Sequence, residues 1–205
     1  YNISVQKGNI EILRVDVFPE DNEEYPIVSV ISQLTPHDLQ KPHIITSEEG
    51  GAQTQTHAYT NHPYFTKLSL HHAAGFSASN IEEGKIQMRA IQDLHQIVRG
   101  WSDIGYHFVV DRAGNIYQGR PETVIGAHVL NHNTGNIGVS ILGCYHPPEL
   151  YCNDQLTQAS RDSLVKLYAW ISETYDYYPY ILLGHRDYPD NDTSCPGNNI
   201  WSLLY

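Results

Sequence analysis

The pattern of apolar and polar positions predicts a series of strands and helices that begins near residue 43. Five segments have the length and apolar content of strands: KLSLHH (67–72), YHFVVD (106–111), IYQGR (116–120), NIGVSILG (136–143) and YILLGH (180–185). The first of these runs into a loop at Ala73-Ala74-Gly75. The second and third flank the turn Arg112-Ala113-Gly114-Asn115 and therefore predict a β-hairpin.

Two further segments repeat apolar residues at the three- and four-residue spacing of an amphipathic helix. The first extends from Glu82 to Arg99, ends at Gly100, and has as its periodic positions Ile86, Ala90, Ile91, Leu94, Ile97 and Val98. The second begins at a cap formed by Asn153 or Asp154, and its predicted core side carries Leu156, Ala159, Leu164, Leu167, Trp170 and Ile171.

Strands and helices therefore interleave, which predicts an α/β fold with a mixed central β-sheet flanked by helices. We assign this domain to residues 42–205. Residues 1–41 form an N-terminal extension or a small subdomain of unknown role. Apolar positions between Ile10 and Phe18 resemble a strand, but the acidic stretch PEDNEEYP follows them.

Composition and charge exclude two classes of function. The chain has 205 residues with 40% hydrophobic, enough to bury a core, and its net charge of −11 argues against a nucleic-acid partner. No run approaches the ~18 apolar residues that a membrane span requires. The first residue is Tyr1 rather than Met, so we expect a processed end, and a removed signal peptide is one way to produce it.

The chain has 12 histidines and three cysteines, and two of these histidines and one cysteine stand out by position. His71 and His185 end predicted strands, and Cys195 lies in a Pro-Gly turn. Two imidazoles and one thiolate are a ligand set for catalytic zinc, in which the fourth position stays open for water. The competing interpretation is that each histidine is a hydrogen-bonded core residue.

The other two cysteines are eight residues apart in CYHPPELYC. Cys144 and Cys152 either form a disulfide, which would indicate an oxidising compartment, or are two unpaired thiols.

Four segments occur in the order found in a known family: LSLHHAAG (68–75), RGWSDIGYHFVVDRAGNIYQGR (99–120), GAHVLNHNTGNIGVSILG (126–143) and GHRDYPDNDTSCPG (184–197). The chain resembles the zinc-dependent N-acetylmuramoyl-L-alanine amidases of the peptidoglycan recognition protein type, whose superfamily includes the phage amidase-type lysozymes. PHIITSEEGGA (42–52) is similar to the family's domain opening, with Gly50 where a Trp usually stands. The resemblance covers residues 42–204.

The resemblance implies roles for five residues. His71, His185 and Cys195 match the zinc ligands, which would lie at the rim of the sheet in a substrate groove. Tyr106 matches a tyrosine whose phenol hydrogen-bonds the attacked carbonyl or the zinc-bound water. Thr193 stands where phage relatives carry a catalytic lysine. Because Cys195 is needed at the metal, we predict that the other two cysteines are bridged.

His72 follows His71 directly in the predicted strand, where alternation allows only one of two adjacent side chains to face the metal. His72 is therefore expected to pack or to donate a hydrogen bond from behind the ligands. We group it with the candidate substrate-groove residues Trp101, Arg120, His128 and Asn133. The alternatives are packing for Trp101 and a structural hydrogen bond for His128.

One departure from related amidases leaves the general base open. Anhydro-muropeptide amidases carry a glutamate on the strand that here has Gly138-Val139-Ser140-Ile141, without a carboxylate. Proton transfer then falls to Tyr106, to a water molecule or to hydroxide at the metal.

We therefore predict a zinc amidohydrolase that cleaves the amide bond between N-acetylmuramic acid and L-alanine in peptidoglycan. The alternative is a non-catalytic peptidoglycan-binding module, and a purely structural metal site is the weakest hypothesis. The expected partner is peptidoglycan or a muropeptide, the expected location is secreted or in the cell envelope, and a monomer is the default.

Overall fold

The computed structural model describes residues 40–148, 151–175 and 182–204. Its strands are β1 (Ile44–Ile45), β2 (Lys67–His72), β3 (Phe108–Val110), β4 (Ile116–Gln118), β5 (Asn136–Ile141) and β6 (Leu182–Gly184). Its α-helices are α1 (Ile81–Asp93), α2 (Gln158–Thr174) and α3 (Asn198–Trp201). A π-helical turn (Leu94–Val98) extends α1, and a 3₁₀ turn (His185–Asp187) follows β6.

The six strands form one mixed sheet in the order β1-β4-β3-β5-β2-β6. The pair β3–β4 is antiparallel and forms the predicted hairpin, while the other neighbours are parallel. The predicted α/β fold is thus confirmed. The central position of β5 explains its apolar sequence, because all six of its residues are buried.

The sheet separates two apolar layers. Leu68, Leu70 and Val139 belong to the layer that contains α2, whereas Val109 and Tyr117 belong to the layer beneath α1. Alternation along β2 therefore turns Ser69 and His71 away from the α2 layer. The side chains of Ser69 and His71 therefore lie on the face of the sheet that α1 covers.

The face of α1 that packs on the sheet differs from the predicted one. Gly84 lies against Tyr117, where a Cβ would come within 1.9 Å of the phenol oxygen, and Met88 and Ile91 are buried beside it. Ile86, Ile97 and Val98 are instead 59%, 75% and 74% exposed. The periodicity prediction was wrong at these positions because the close approach at glycine and the π-helical turn fix a different face.

The predicted start of α2 was also wrong. Thr157 caps this helix, and its Oγ1 accepts a hydrogen bond from the backbone N–H of Ser160 at 3.1 Å. Asp154 accepts instead from the N–H of Cys144 and forms an ion pair with Arg112. On the predicted core side four residues are buried, Leu156 is partly buried, and Ala159 is exposed; the four are Leu164, Leu167, Trp170 and Ile171.

Two predictions fall partly or wholly on residues that are not described. Residues 1–39 of the predicted extension lie outside the described residues, as do residues 180–181 of YILLGH. Within the described part of the chain, no helix has the length and apolar character needed to cross a bilayer.

Candidate metal centre

Three side chains from distant parts of the chain converge at one edge of the sheet. His71 lies near the end of β2, His185 directly follows β6, and Cys195 lies in the turn before α3. Their donor atoms all lie within 4.8 Å of one another. Because β2 and β6 are parallel neighbours, their carboxyl ends bring the two histidines together.

The backbone around Cys195 is held by both neighbouring segments. Its N–H donates to Oγ1 of Thr193 at 3.1 Å, and its carbonyl accepts from the N–H of Arg186 at 2.9 Å. The N–H of His72 donates to the Cys195 sulfur at 3.4 Å. The thiol is therefore fixed against β2 and the 3₁₀ turn.

Each histidine of the cluster uses one ring nitrogen in a hydrogen bond within the protein. Nε2 of His71 lies 3.1 Å from Nδ1 of His128, and Nε2 of His185 lies 3.1 Å from Oδ1 of Asn191. Nδ1 of His71 lies 3.7 Å from the sulfur of Cys195. The Nδ1 atoms thus remain to bind a metal ion.

The donor set and its spacing fit zinc. In a tetrahedral zinc site, nitrogen and sulfur ligands 2.0–2.3 Å from the metal lie about 3.3–3.6 Å from each other. The separation between His71 and Cys195 is close to that range. Burial lowers the pKa of His71 well below its ordinary value and also lowers that of His185, so both imidazoles are neutral, the form that can bind a metal ion.

Burial has the opposite effect on the thiol. It raises the pKa of Cys195 to about 12, because an isolated thiolate loses its hydration inside the protein. A cation beside the sulfur is what makes the thiolate the stable form at neutral pH.

Tyr106 stands next to this cluster. Its ring centroid is 5.2 Å from that of His71, and part of the side chain remains accessible. Burial of the hydroxyl raises the pKa of Tyr106 above its ordinary value, and the hydroxyl of Ser140 on β5 opposes this shift. The phenol is therefore a hydrogen-bond donor at neutral pH. Ser140 is the residue of β5 that pairs with His71 of β2, so the two side chains lie on the same face of the sheet.

Several residues predicted in the substrate groove have other contacts. Arg120 is buried, and its guanidinium donates to the carbonyls of Asp103, Ile104 and Ile125. Oδ1 of Asn133 accepts from two consecutive backbone N–H groups of its own loop. Both side chains therefore have structural hydrogen bonds, and a substrate contact by either one stays a prediction.

His72 and Trp101 occupy different sides of the site. Nδ1 of His72 accepts from the N–H of Tyr145 at 3.2 Å, on the side away from His71, as strand alternation requires. The ring of Trp101 is partly exposed and lies 4.7 Å from that of His95. A substrate contact by Trp101 stays a prediction.

The cysteine pairing is confirmed. Cys144 and Cys152 form a disulfide, and Cys195 is the free thiol among the three cysteines. The sulfur atoms of both cysteines lie within 4.8 Å of a ring nitrogen of His72, which follows His71 directly in β2.

Two polar residues of the site were missed in the sequence. Asn191, which contacts His185, lies in a polar loop without a distinctive pattern. His107 is completely buried, donates to the carbonyl of Val124 and accepts from the N–H of Gly138. Its place in the hairpin segment, directly after Tyr106, was the available signal.

The sequence has clear relatives. A family model described as N-acetylmuramoyl-L-alanine amidase matches residues 51–198. Peptidoglycan-recognition protein SC2 of Drosophila melanogaster is 36% identical over 161 residues, which cover 78% of this chain and 84% of that protein. An N-acetylmuramoyl-L-alanine amidase of Homo sapiens is 38% identical over 117 residues, which cover 57% of this chain and 19% of that protein.

Solved structures agree with this result. Drosophila PGRP-LB superposes with a TM-score of 0.71 at 28% identity, covering 79% of this chain and 92% of that chain. Peptidoglycan recognition protein LE was solved in complex with tracheal cytotoxin, a monomeric diaminopimelic acid-type peptidoglycan. It also superposes with a TM-score of 0.71 at 28% identity, and the match covers 78% of this chain and 91% of that chain. The resemblance seen in the sequence and the fold inferred from it are both confirmed.

Proposed function

The chain belongs to the N-acetylmuramoyl-L-alanine amidase family, and from this premise we propose that it is a zinc amidase that cleaves the bond between N-acetylmuramic acid and L-alanine. The observation that carries the proposal is the complete cluster of His71, His185 and Cys195. Two imidazoles and one thiolate leave a position for a reacting group, as in catalytic rather than structural zinc sites.

Zinc held by these three residues would supply a Lewis acid that can polarise the amide carbonyl and acidify a water molecule. The protein's contribution is to hold the three ligands in place before substrate arrives. With neutral histidines, only the thiolate of Cys195 would offset the charge of a bound zinc ion, so the centre would keep a net positive charge. A centre with that charge would favour the negative charge that builds up on the carbonyl oxygen of the substrate.

Tyr106 is the group in position to stabilise this developing charge. Its ring lies against His71, and its raised pKa keeps the hydroxyl protonated at neutral pH. A donor aimed at a developing oxyanion is usually among the largest contributions to acyl-transfer catalysis. Thr193 contributes through the backbone, because its Oγ1 accepts from the N–H of Cys195 and fixes the turn that presents this residue.

The absence of a carboxylate on β5 places the proton transfers on hydroxyl groups and water. Ser140 is completely buried and lies close enough to Tyr106 to affect its pKa. The Ser140 hydroxyl has no hydrogen-bond partner among the described residues, so it is free to exchange a proton with water or the phenol.

A second candidate function is peptidoglycan binding without catalysis. Similar proteins are named peptidoglycan-recognition proteins, and one solved relative holds a peptidoglycan fragment. The intact ligand set favours the enzyme, because binding alone does not require three converging metal ligands. In both cases the partner is a muropeptide, and the disulfide supports a secreted location.

The experiment compares the zinc-loaded protein with a Cys195→Ala variant on purified peptidoglycan, with a pull-down to measure binding. The wild type is expected to release peptides with free L-alanine amino termini, identified by mass spectrometry. The variant is expected to bind the polymer without releasing them. Binding by the zinc-loaded wild type with no new amino termini would support the recognition module and contradict the amidase.

A further inference from the structure

The hydrogen bonds behind the cluster point to a role for one loop in organising both histidine ligands. We propose that His128 and Asn191 are positioning residues that fix the ring orientation and tautomer of His71 and His185, respectively. The inference rests on the proposed metal centre. It assigns His128 to the metal site rather than to the substrate groove.

The tautomer of His71 follows from a chain of three hydrogen-bonding groups. Nε2 of His128 lies 3.1 Å from the carbonyl of Asn136, which can only accept, so this nitrogen carries the proton. Nδ1 of the neutral His128 ring is then an acceptor. It faces Nε2 of His71 at 3.1 Å, which must therefore be the donor. The lone pair of His71 is left on Nδ1, 3.7 Å from the sulfur of Cys195.

The packing around His128 prevents its ring from serving another ligand. The side chain is 7% exposed, and both of its nitrogens are already hydrogen-bonded. Gly126 and Gly138 lie against its ring, where a Cβ on either would come within 2.6 Å of a ring atom. Such a ring can orient a neighbour, but it has no free polar atom for a substrate.

Asn191 makes the corresponding contact to the second histidine. Its Nδ2 donates to the carbonyls of Leu130 and Pro189, at 3.3 and 2.9 Å, which identifies Oδ1 as the acceptor. Oδ1 accepts from the N–H of Leu130 at 3.1 Å and faces Nε2 of His185 at 3.1 Å. His185, like His71, therefore presents Nδ1 to the cluster.

Both contacts depend on the same loop, residues 128–133. His128 is its first residue, and Leu130 binds the side chain of Asn191. Oδ1 of Asn133 accepts from the N–H groups of His128 and Val129, which closes the loop. The loop thus determines the orientation of both imidazoles in advance of metal binding, and loss of such partners typically lowers metal affinity by roughly 10- to 100-fold.

The experiment measures zinc affinity by competition with a chromophoric chelator and records the Co²⁺ absorption spectrum. His128→Leu removes the acceptor, and His128→Asn keeps an oxygen near the position of Nδ1. His132→Leu is the matched control, because it makes the same change in the same loop without contact to the cluster. We expect roughly 10- to 100-fold weaker zinc binding and an altered Co²⁺ spectrum for His128→Leu, substantial recovery in His128→Asn, and wild-type values for the control.

Asn191 provides an independent test on a partly exposed residue, where folding is less at risk. Asn191→Ala is expected to weaken zinc binding by roughly 10-fold, whereas Asn191→Asp, which keeps the acceptor, preserves it. Wild-type affinity and spectrum in both His128→Leu and Asn191→Ala would overturn the inference, whatever the activity. A protein that binds zinc with this dependence but releases no L-alanine termini would refute the amidase proposal and leave the inference intact.

Discussion

Gly138→Ala is expected to disturb the metal centre from the strand behind it. A Cβ at this position would lie 2.5 Å from Cγ, 2.6 Å from Cδ2 and 2.7 Å from Nδ1 of His128. These separations are about 1 Å shorter than ordinary carbon contacts. The ring cannot simply rotate away, because both of its nitrogens are hydrogen-bonded and Gly126 lies against it.

Strain of this kind in a close-packed interior typically costs about 1–3 kcal/mol. We expect the free energy of unfolding to fall by that amount, measured by urea titration of tryptophan fluorescence with an unchanged m-value. Displacement of His128 should also weaken zinc binding by roughly 10-fold.

Gly75→Ala is the control, since a Cβ there has no atom within 4 Å, and its effect should stay within about 0.5 kcal/mol. If Gly138→Ala matched this control in both stability and zinc affinity, the account of how His128 is held would be wrong.

Three further predictions concern the phenol, the disulfide and a buried histidine. Tyr106→Phe should lower kcat by roughly 100- to 1,000-fold with zinc affinity unchanged, and retention of more than about half the wild-type kcat would show that the hydroxyl does not act in the transition state. Replacing Cys144 and Cys152 together by serine should cost about 2–3 kcal/mol in urea unfolding, as expected for a short closed loop, and an unchanged midpoint would contradict this. Burial lowers the pKa of His107 to about 3, whereas in the unfolded chain this side chain protonates near its ordinary pKa of 6.5. Its contribution to stability is therefore complete above pH 6.5 and is lost as the pH falls from 6.5 towards 3. Unfolding measured at pH 7 and pH 5 should show a loss of about 2 kcal/mol from this residue, and His107→Gln should remove that share; an equal loss in both proteins would refute it.

The sheet could be predicted because its strands carry their own pattern. KLSLHH alternates, and the same alternation separates His71 from His72 in the structure. The face of α1 could not be read in this way. The burial of Gly84 against Tyr117 decides it, and that contact joins residues far apart in the chain.

The candidate ligands were recognisable because each lies in a motif of its own. The residues that surround these ligands could not be recognised, because their contacts join distant parts of the chain. His71 and His128 are 57 residues apart in the sequence, and Leu130 and Asn191 are 61 apart. The same limit applies to Arg120, whose guanidinium donates to three backbone carbonyls that the sequence does not reveal. The type of a residue does not show whether its side chain will donate to a backbone carbonyl.

The central claim is that the cluster directs water to the lactyl carbonyl of N-acetylmuramic acid. The most direct test is hydrolysis of a muramyl peptide in H₂¹⁸O by the zinc-loaded protein, followed by mass spectrometry of both products. The account predicts one ¹⁸O in the carboxylate of the muramic acid fragment and an unlabelled peptide that begins with L-alanine. Label in a peptide carboxylate, or no cleavage by protein that holds a full equivalent of zinc, would contradict it.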